Sequence, residues 1–173
     1  MPLSKRQFLS LGCGAVCVGV AHASGYASSR VNVFEEDGVH FEWFHTATAL
    51  RCRLVAPTLG WLAIGFNSKS TLFETRFLMA VTSQPAISSQ ERLALAPPGT
   101  NVGELGLSEV FTVEGGRSTG GKSELEISLP LVVRERPGLD LGPDASVYLM
   151  LAWSTHAEFD HHSAWRRHYQ IKL

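Results

Sequence analysis

Trp61-Leu62-Ala63-Ile64-Gly65-Phe66 is apolar at all its positions and too short for an ordinary helix. Pro57 and Gly60 precede it and a polar loop follows it. A run of this length and composition reads as a strand buried on both faces, as at the centre of a sheet in a sandwich. Phe77-Leu78-Met79-Ala80-Val81 reads the same way, and Val147-Tyr148-Leu149-Met150-Leu151-Ala152-Trp153 supplies a second central strand. Elsewhere the apolar residues alternate with a period of two. Val39, Phe41, Trp43 and His45 share one face, as do Leu50, Cys52 and Leu54. Leu125, Ile127 and Leu129 alternate with Glu124, Glu126 and Ser128, the pattern of a half-exposed strand.

Turn signals separate these segments: Asp37-Gly38, the stretch 57–60, Gly115-Gly116, Gly120-Gly121 and the stretch 137–144. Helical spacing is confined to a short turn expected over 129–134. The stretch 83–106, with Pro85, Pro97 and Pro98, reads mainly as a long connection with a short strand at 92–96. Many short strands punctuated by Gly and Pro predict an all-β fold, a single β-sandwich domain over residues 30–173.

Residues 1–23 stand apart from that domain. A basic start (Lys5, Arg6), an apolar run from Phe8 to Val20 and the small-residue end Ala21-His22-Ala23 have the layout of an export signal peptide. The apolar run is shorter than the roughly 20 residues that span a bilayer. Ser4-Lys5-Arg6-Gln7-Phe8-Leu9 resembles a twin-arginine (Tat) motif with Lys in place of the first Arg. A periplasmic or otherwise exported location is therefore expected, with no membrane span in the mature chain. Removing the signal takes away basic residues and no acidic ones, so the remainder is more acidic than the formal −1 of the whole chain. No basic patch points to nucleic acid. Cys52 is the single cysteine left beyond the signal, on the apolar face of its strand, and reads as a buried small hydrophobe.

Chemistry is concentrated near the end of the chain. His156, His161, His162 and His168, four of the seven histidines, fall together after the second central strand. Imidazole is the commonest metal ligand and titrates near neutrality. No nucleophile motif such as G-x-S-x-G occurs, and the carboxylates are scattered. The chain thus reads as a binding or electron-transfer domain, not as an enzyme in its own right.

Gly60-Trp61-Leu62-Ala63-Ile64-Gly65-Phe66-Asn67, followed by a polar loop and a strand from Phe77, resembles the opening signature of DOMON domains. The second half matches too: Ala152-Trp153-Ser154, a His loop, then His162-Ser163-Ala164-Trp165-Arg166-Arg167 before a final strand. The resemblance implies an immunoglobulin-like β-sandwich, and haem b as cofactor in those members that carry electrons. It implies one axial ligand at His162, with His161 as second choice. The partner ligand in haem-binding members is a Met shortly after the Gly-Phe loop, and here Leu72 (or Phe73) stands in its place. A Leu cannot coordinate iron. Of the acidic residues usual after that Met, Glu74 is present, and Arg76 stands where a second acid often does.

Three readings follow. In the first, the domain binds haem b through His162, alone or with Met79, His45 or His40. Arg166, Arg167 or Arg76 then pair with the propionates in a bidentate fork, and the domain serves electron transfer or redox sensing. A membrane cytochrome b or periplasmic redox protein would be its partner. In the second, it is a haem-free module for a sugar or other small ligand, with Trp43, Trp61, Trp153 and Trp165 as aromatic platforms. Trp165 is expected to be the exposed one. In the third, Asp160, His156, His161, His162 and His168 bind zinc or copper.

Overall fold

A computed structural model describes residues 30–83, 85–96, 99–133 and 139–173. The expected export signal lies outside these residues. The described chain is all-β. In order it forms β1 (Asn32–Glu36), β2 (Val39–His45), β3 (Ala49–Ala56), β4 (Trp61–Asn67), β5 (Arg76–Val81), β6 (Ser88–Leu93), β7 (Thr100–Asn101), β8 (Thr112–Thr119), β9 (Lys122–Pro130), β10 (Ser146–Trp153) and β11 (Trp165–Lys172). A five-stranded sheet runs β1-β2-β3-β9-β8 and a six-stranded sheet runs β11-β10-β4-β5-β6-β7. Every pairing among them is antiparallel.

The period-two residues make the interface between the sheets. Phe41, Leu50, Leu54, Leu125 and Ile127 come from the five-stranded sheet; Leu62, Ile64, Phe66, Leu149 and Leu151 come from the six-stranded one. Each is essentially out of water, and burying one such side chain contributes about 1.5–3 kcal/mol. Cys52 is buried among them, and burial pushes its thiol pKa far up, so it packs as an inert hydrophobe. Two tight hairpins set the register. Asp37 and Gly38 (φ 51° and 79°) join β1 to β2, and Gly120 and Gly121 (φ 59° and 78°) join β8 to β9. Both central residues of these turns lie in the left-handed region, as the twist of the flanking strands requires.

The open side between β1 and β11 is closed by side chains. The rings of Phe34 and Tyr169 lie 4.3 Å apart, and Trp165 Nε1 donates to Asp37 at 3.0 Å. The Tyr169 hydroxyl donates to Glu36, and burial together with that bond pushes its pKa up.

Three sequence expectations are corrected. Gly115-Gly116 is not a turn: both lie inside β8, where the register shifts between Val113 and Gly115 as at a β-bulge. The helical turn over 129–134 does not form among the described residues. Leu129 and Pro130 complete β9 instead, and Val132 makes an isolated bridge to Asp140. The short strand expected at 92–96 is β6, beginning earlier at Ser88 and pairing with β5 along its whole length. Its inward residue is Glu91, 1% exposed and ion-paired to the equally buried Arg76. The same carboxylate accepts from the Val110 and Phe111 amides (2.8 and 3.1 Å), while Arg76 also donates to the Ser108 carbonyl. A strand that buries a charge pair shows no apolar alternation. Removing one partner of such a pair costs about 3–5 kcal/mol.

His40 lies between two carboxylates, with Nδ1 2.6 Å from Glu35 and Nε2 2.6 Å from Glu42. The Glu42 bond does most to raise the His40 pKa above 6.5; burial opposes it, and the Glu35 bond adds to the rise. The same contact lowers the Glu42 pKa below 4.5. The stability His40 contributes is therefore fully present below about pH 6.5, its unfolded value, and is lost as pH rises through its higher folded pKa. The Glu42 share is lost as pH falls below its unfolded value. In urea unfolding, His40→Gln should lower the midpoint most near about pH 6, and the gap to wild type should shrink by about pH 9.

Candidate functional site

The central strands β4, β5 and β10 are buried on both faces, although only one face meets the other sheet. Residues that alternate away from the core form a second apolar cluster on the outer face: Trp61, Ala63, Phe77, Met79, Met150 and Ala152. The register aligns Ala152, Ala63 and Met79 in one row across the sheet, and Met150, Gly65 and Phe77 in the next. The space over Gly65 is taken by Phe77 and Thr75, but small side chains at Ala63 and Ala152 leave a trough between larger ones. Loops wall it. Leu72 and Phe73 come from the β4–β5 connection; Ala94, Leu95 and Gly99 come from the chain between β6 and β7. Phe159, Asp160, His161, His162 and Ser163 come from the β10–β11 loop, and Arg166 from β11. The resulting cavity is about 760 Å³, within the roughly 300–1,000 Å³ of small-molecule and cofactor sites. Its floor is apolar, and its charged and titratable groups stand at the rim.

The His loop is tied to the β3–β4 turn by backbone. The Ser154 amide donates to the Trp61 carbonyl and the Trp61 amide to the His156 carbonyl, both at 2.9 Å. Thr58 donates its hydroxyl to the Ser154 carbonyl and accepts from the Gly60 amide at 2.9 Å. Ser154 Oγ donates to the His162 carbonyl at 3.0 Å. Gly60 makes this closeness possible: a Cβ there would lie 2.3 Å from the Ser154 carbonyl oxygen and 2.5 Å from that of His156. Asp160 is held from β6 by Arg92 at 3.2 Å.

Of the residues singled out in the sequence, His161, His162, Met79 and Arg166 meet at the cavity. Arg167 and Trp165 do not line it. They lie on the opposite face of β11, where the guanidinium sits 5.4 Å from the Trp165 ring centroid and 3.4 Å from both Glu36 and Asp37. His45 is also elsewhere, on the five-stranded sheet, with Nε2 2.9 Å from the Leu141 carbonyl oxygen. His40 is held between its carboxylates, and Arg76 is buried in its ion pair inside the sandwich. His168 lies on the outward face of β11 two residues after Arg166. Desolvation, and then the Arg166 charge, lower its pKa.

The tryptophans correct the aromatic-platform expectation. Trp43 is core, Trp153 and Trp165 pack against the core, and Trp61 alone of the four lines the cavity. The Trp61 indole N–H is buried without an acceptor among the described residues, an unmet donor beside the cavity. Sequence reasoning missed Met150, Phe77 and Phe159 as cavity residues. The available signal was that β4 and β10 are apolar on both faces, so that half of each strand needs cover other than the opposite sheet.

No family model matches this chain, and no curated protein does. Solved structures do match in fold. The cytochrome b domain of pyranose dehydrogenase from Coprinopsis cinerea superposes with a TM-score of 0.60 at 11% identity, over 82% of this chain and 81% of that one. The cytochrome domain of Myriococcum thermophilum cellobiose dehydrogenase gives 0.53 at 10% identity, over 84% and 82%. The fold expected from the DOMON resemblance is thus the fold found.

Because the His loop rests on Gly60 without space for a methyl group, Gly60→Ala should displace it. Overpacking of this kind costs about 1–3 kcal/mol. Thermal unfolding should show that loss, and hydrogen exchange at the Trp61 and Ser154 amides should speed up relative to amides of β2 and β3.

Proposed function

We propose, from the fold shared with a cytochrome b domain and a second cytochrome domain, that this chain is a haem b-binding domain that passes or senses electrons and is not itself an enzyme. The observation that carries the reading is the apolar cavity on the outer sheet face, with His162 and Arg166 at its rim. A porphyrin needs an apolar slot for the ring, a lone-pair donor for the iron and cations for the propionates. The chain offers each in one place. His162 would give an imidazole nitrogen to the iron, and Arg166 would pair with a propionate. The buried Trp61 N–H adds an unmet donor, and Ala63 and Ala152 leave room for a flat ring. When bound, the haem supplies reversible one-electron chemistry at a potential set by its axial ligands.

His162 is favoured over His161 because the His161 ring packs edge-on against His156, with centroids 4.1 Å apart. Successive side chains on an extended segment diverge. Leu72 lines the same cavity at the position where the family resemblance calls for Met, and it has no lone pair to offer. His45 and Arg167 are engaged elsewhere. In this reading His162 would be the single protein ligand to the iron, with the Met79 and Met150 thioethers left in the apolar floor of the cavity. The export expected from residues 1–23 would take the domain to the periplasm, where a membrane cytochrome b or soluble redox protein would exchange electrons with it.

Two measurements test the reading. Hemin titrated into the purified domain should give a Soret band that His162→Ala abolishes and His161→Ala leaves largely in place. If both variants retain the band, the assignment of the loop fails. The wild-type spectrum should be high-spin, and Leu72→Met should convert it toward low-spin with sharp reduced α and β bands. A wild-type protein already low-spin would overturn the single-ligand reading.

A further inference from the structure

We infer that the loop after β10 carries a surface site for a divalent transition-metal ion, built from His156, Glu158 and His161 and separate from the haem ligand. One donor atom from each residue lies within 4.8 Å of the others. Two imidazole nitrogens and a carboxylate oxygen form the donor set of zinc sites that keep a fourth position for water. Donors around a tetrahedral zinc at about 2.0–2.1 Å stand about 3.4 Å apart, so closure on an ion needs side-chain rotation and no backbone movement.

The backbone that presents these residues is already held. The His156 carbonyl accepts from Trp61 and its amide donates to Ser154 Oγ at 3.2 Å, while the His161 amide donates to the Glu158 carbonyl at 3.1 Å. What remains to be ordered is three exposed side chains. The charge pattern favours a cation. No Lys or Arg forms an ion pair with Glu158 among the described residues, whereas the neighbouring Asp160 is neutralised by Arg92. The set differs from the one expected from sequence. Glu158 enters it, and Asp160, His162 and His168 do not belong to it. His161 and His162 both line the cavity, but the His161 ring packs against His156, which leaves His162 as the imidazole free of a histidine partner.

The test is calorimetric titration of Zn2+ into the haem-free domain after chelator treatment. The expected result is one ion per chain. His156→Ala and His161→Ala should each weaken binding by about a hundredfold, and Glu158→Gln by about tenfold, on the scale by which ligand-shell changes act. Because these side chains are exposed, unchanged thermal unfolding should accompany the loss. His40→Gln, which alters a second imidazole–carboxylate group far along the chain, should bind zinc like wild type. Equal zinc affinity in wild type and the His156→Ala/Glu158→Gln double variant would overturn the inference, and so would loss that follows His40→Gln instead. The haem reading is separable: His156→Ala and Glu158→Gln should keep the hemin Soret band.

Discussion

A sheet that is apolar on both faces must be covered on both, and the rest of this structure answers to that constraint. β4 and β5 bury all of their residues, and β10 buries Val147 and Leu149 to Ala152. The five-stranded sheet covers one face through tightly packed side chains. Among the described residues no second sheet lies on the other face, and connections between strands are drawn over it. They cover Trp61, Phe77, Met79 and Met150 and leave a concavity above Ala63 and Ala152. The site is the gap in this cover, which explains why a cavity of this size coexists with a well-packed core.

Loops over an apolar face hold their place only if their own polar backbone is satisfied. Beside the trough, the β3–β4 turn and the β10–β11 loop exchange main-chain hydrogen bonds across Gly60, and Thr58 and Ser154 add side-chain ones. On the inner side of the same sheet, the buried Arg76–Glu91 pair gathers the Ser108 carbonyl and the Val110 and Phe111 amides and fastens the chain between β7 and β8. Rim residues such as His162 are therefore presented by fixed backbone, the condition under which a side chain can serve as an oriented ligand.

Alternation along β11 divides labour between adjacent arginines. Arg166 faces the cavity. Arg167, with Trp165 and Tyr169, faces β1 and closes the sandwich edge against Glu36 and Asp37. A one-residue shift of register would exchange these roles, placing Arg167 at the cavity rim and leaving the acidic hairpin without its cation. The electrostatics of the rim and the closure of the fold thus depend on the same pairing of β10 with β11.

Much of this could be read along the chain. Period-two patterns placed β2, β3 and β9; the all-apolar runs placed β4, β5 and β10; and Asp37-Gly38 and Gly120-Gly121 marked their hairpins, because these are local properties of backbone and side chain. β6 was misplaced because its buried positions are Glu91 and Arg92, polar residues whose burial makes sense only beside Arg76 and the β10–β11 loop. Gly115-Gly116 suggested a turn but lies in a strand, since a bulge is defined by the partner strand. The sequence marked His161, His162, Met79 and Arg166, and equally Arg167, Trp165 and His45. Separating the two groups required knowing which face of β11 looks outward and which sheet holds β2. Composition and spacing along the chain established that this is a sandwich with a histidine loop. Which of those histidines meet a cavity, and which meet each other, depends on contacts between strands far apart in the chain, and only the packed sheets bring those together.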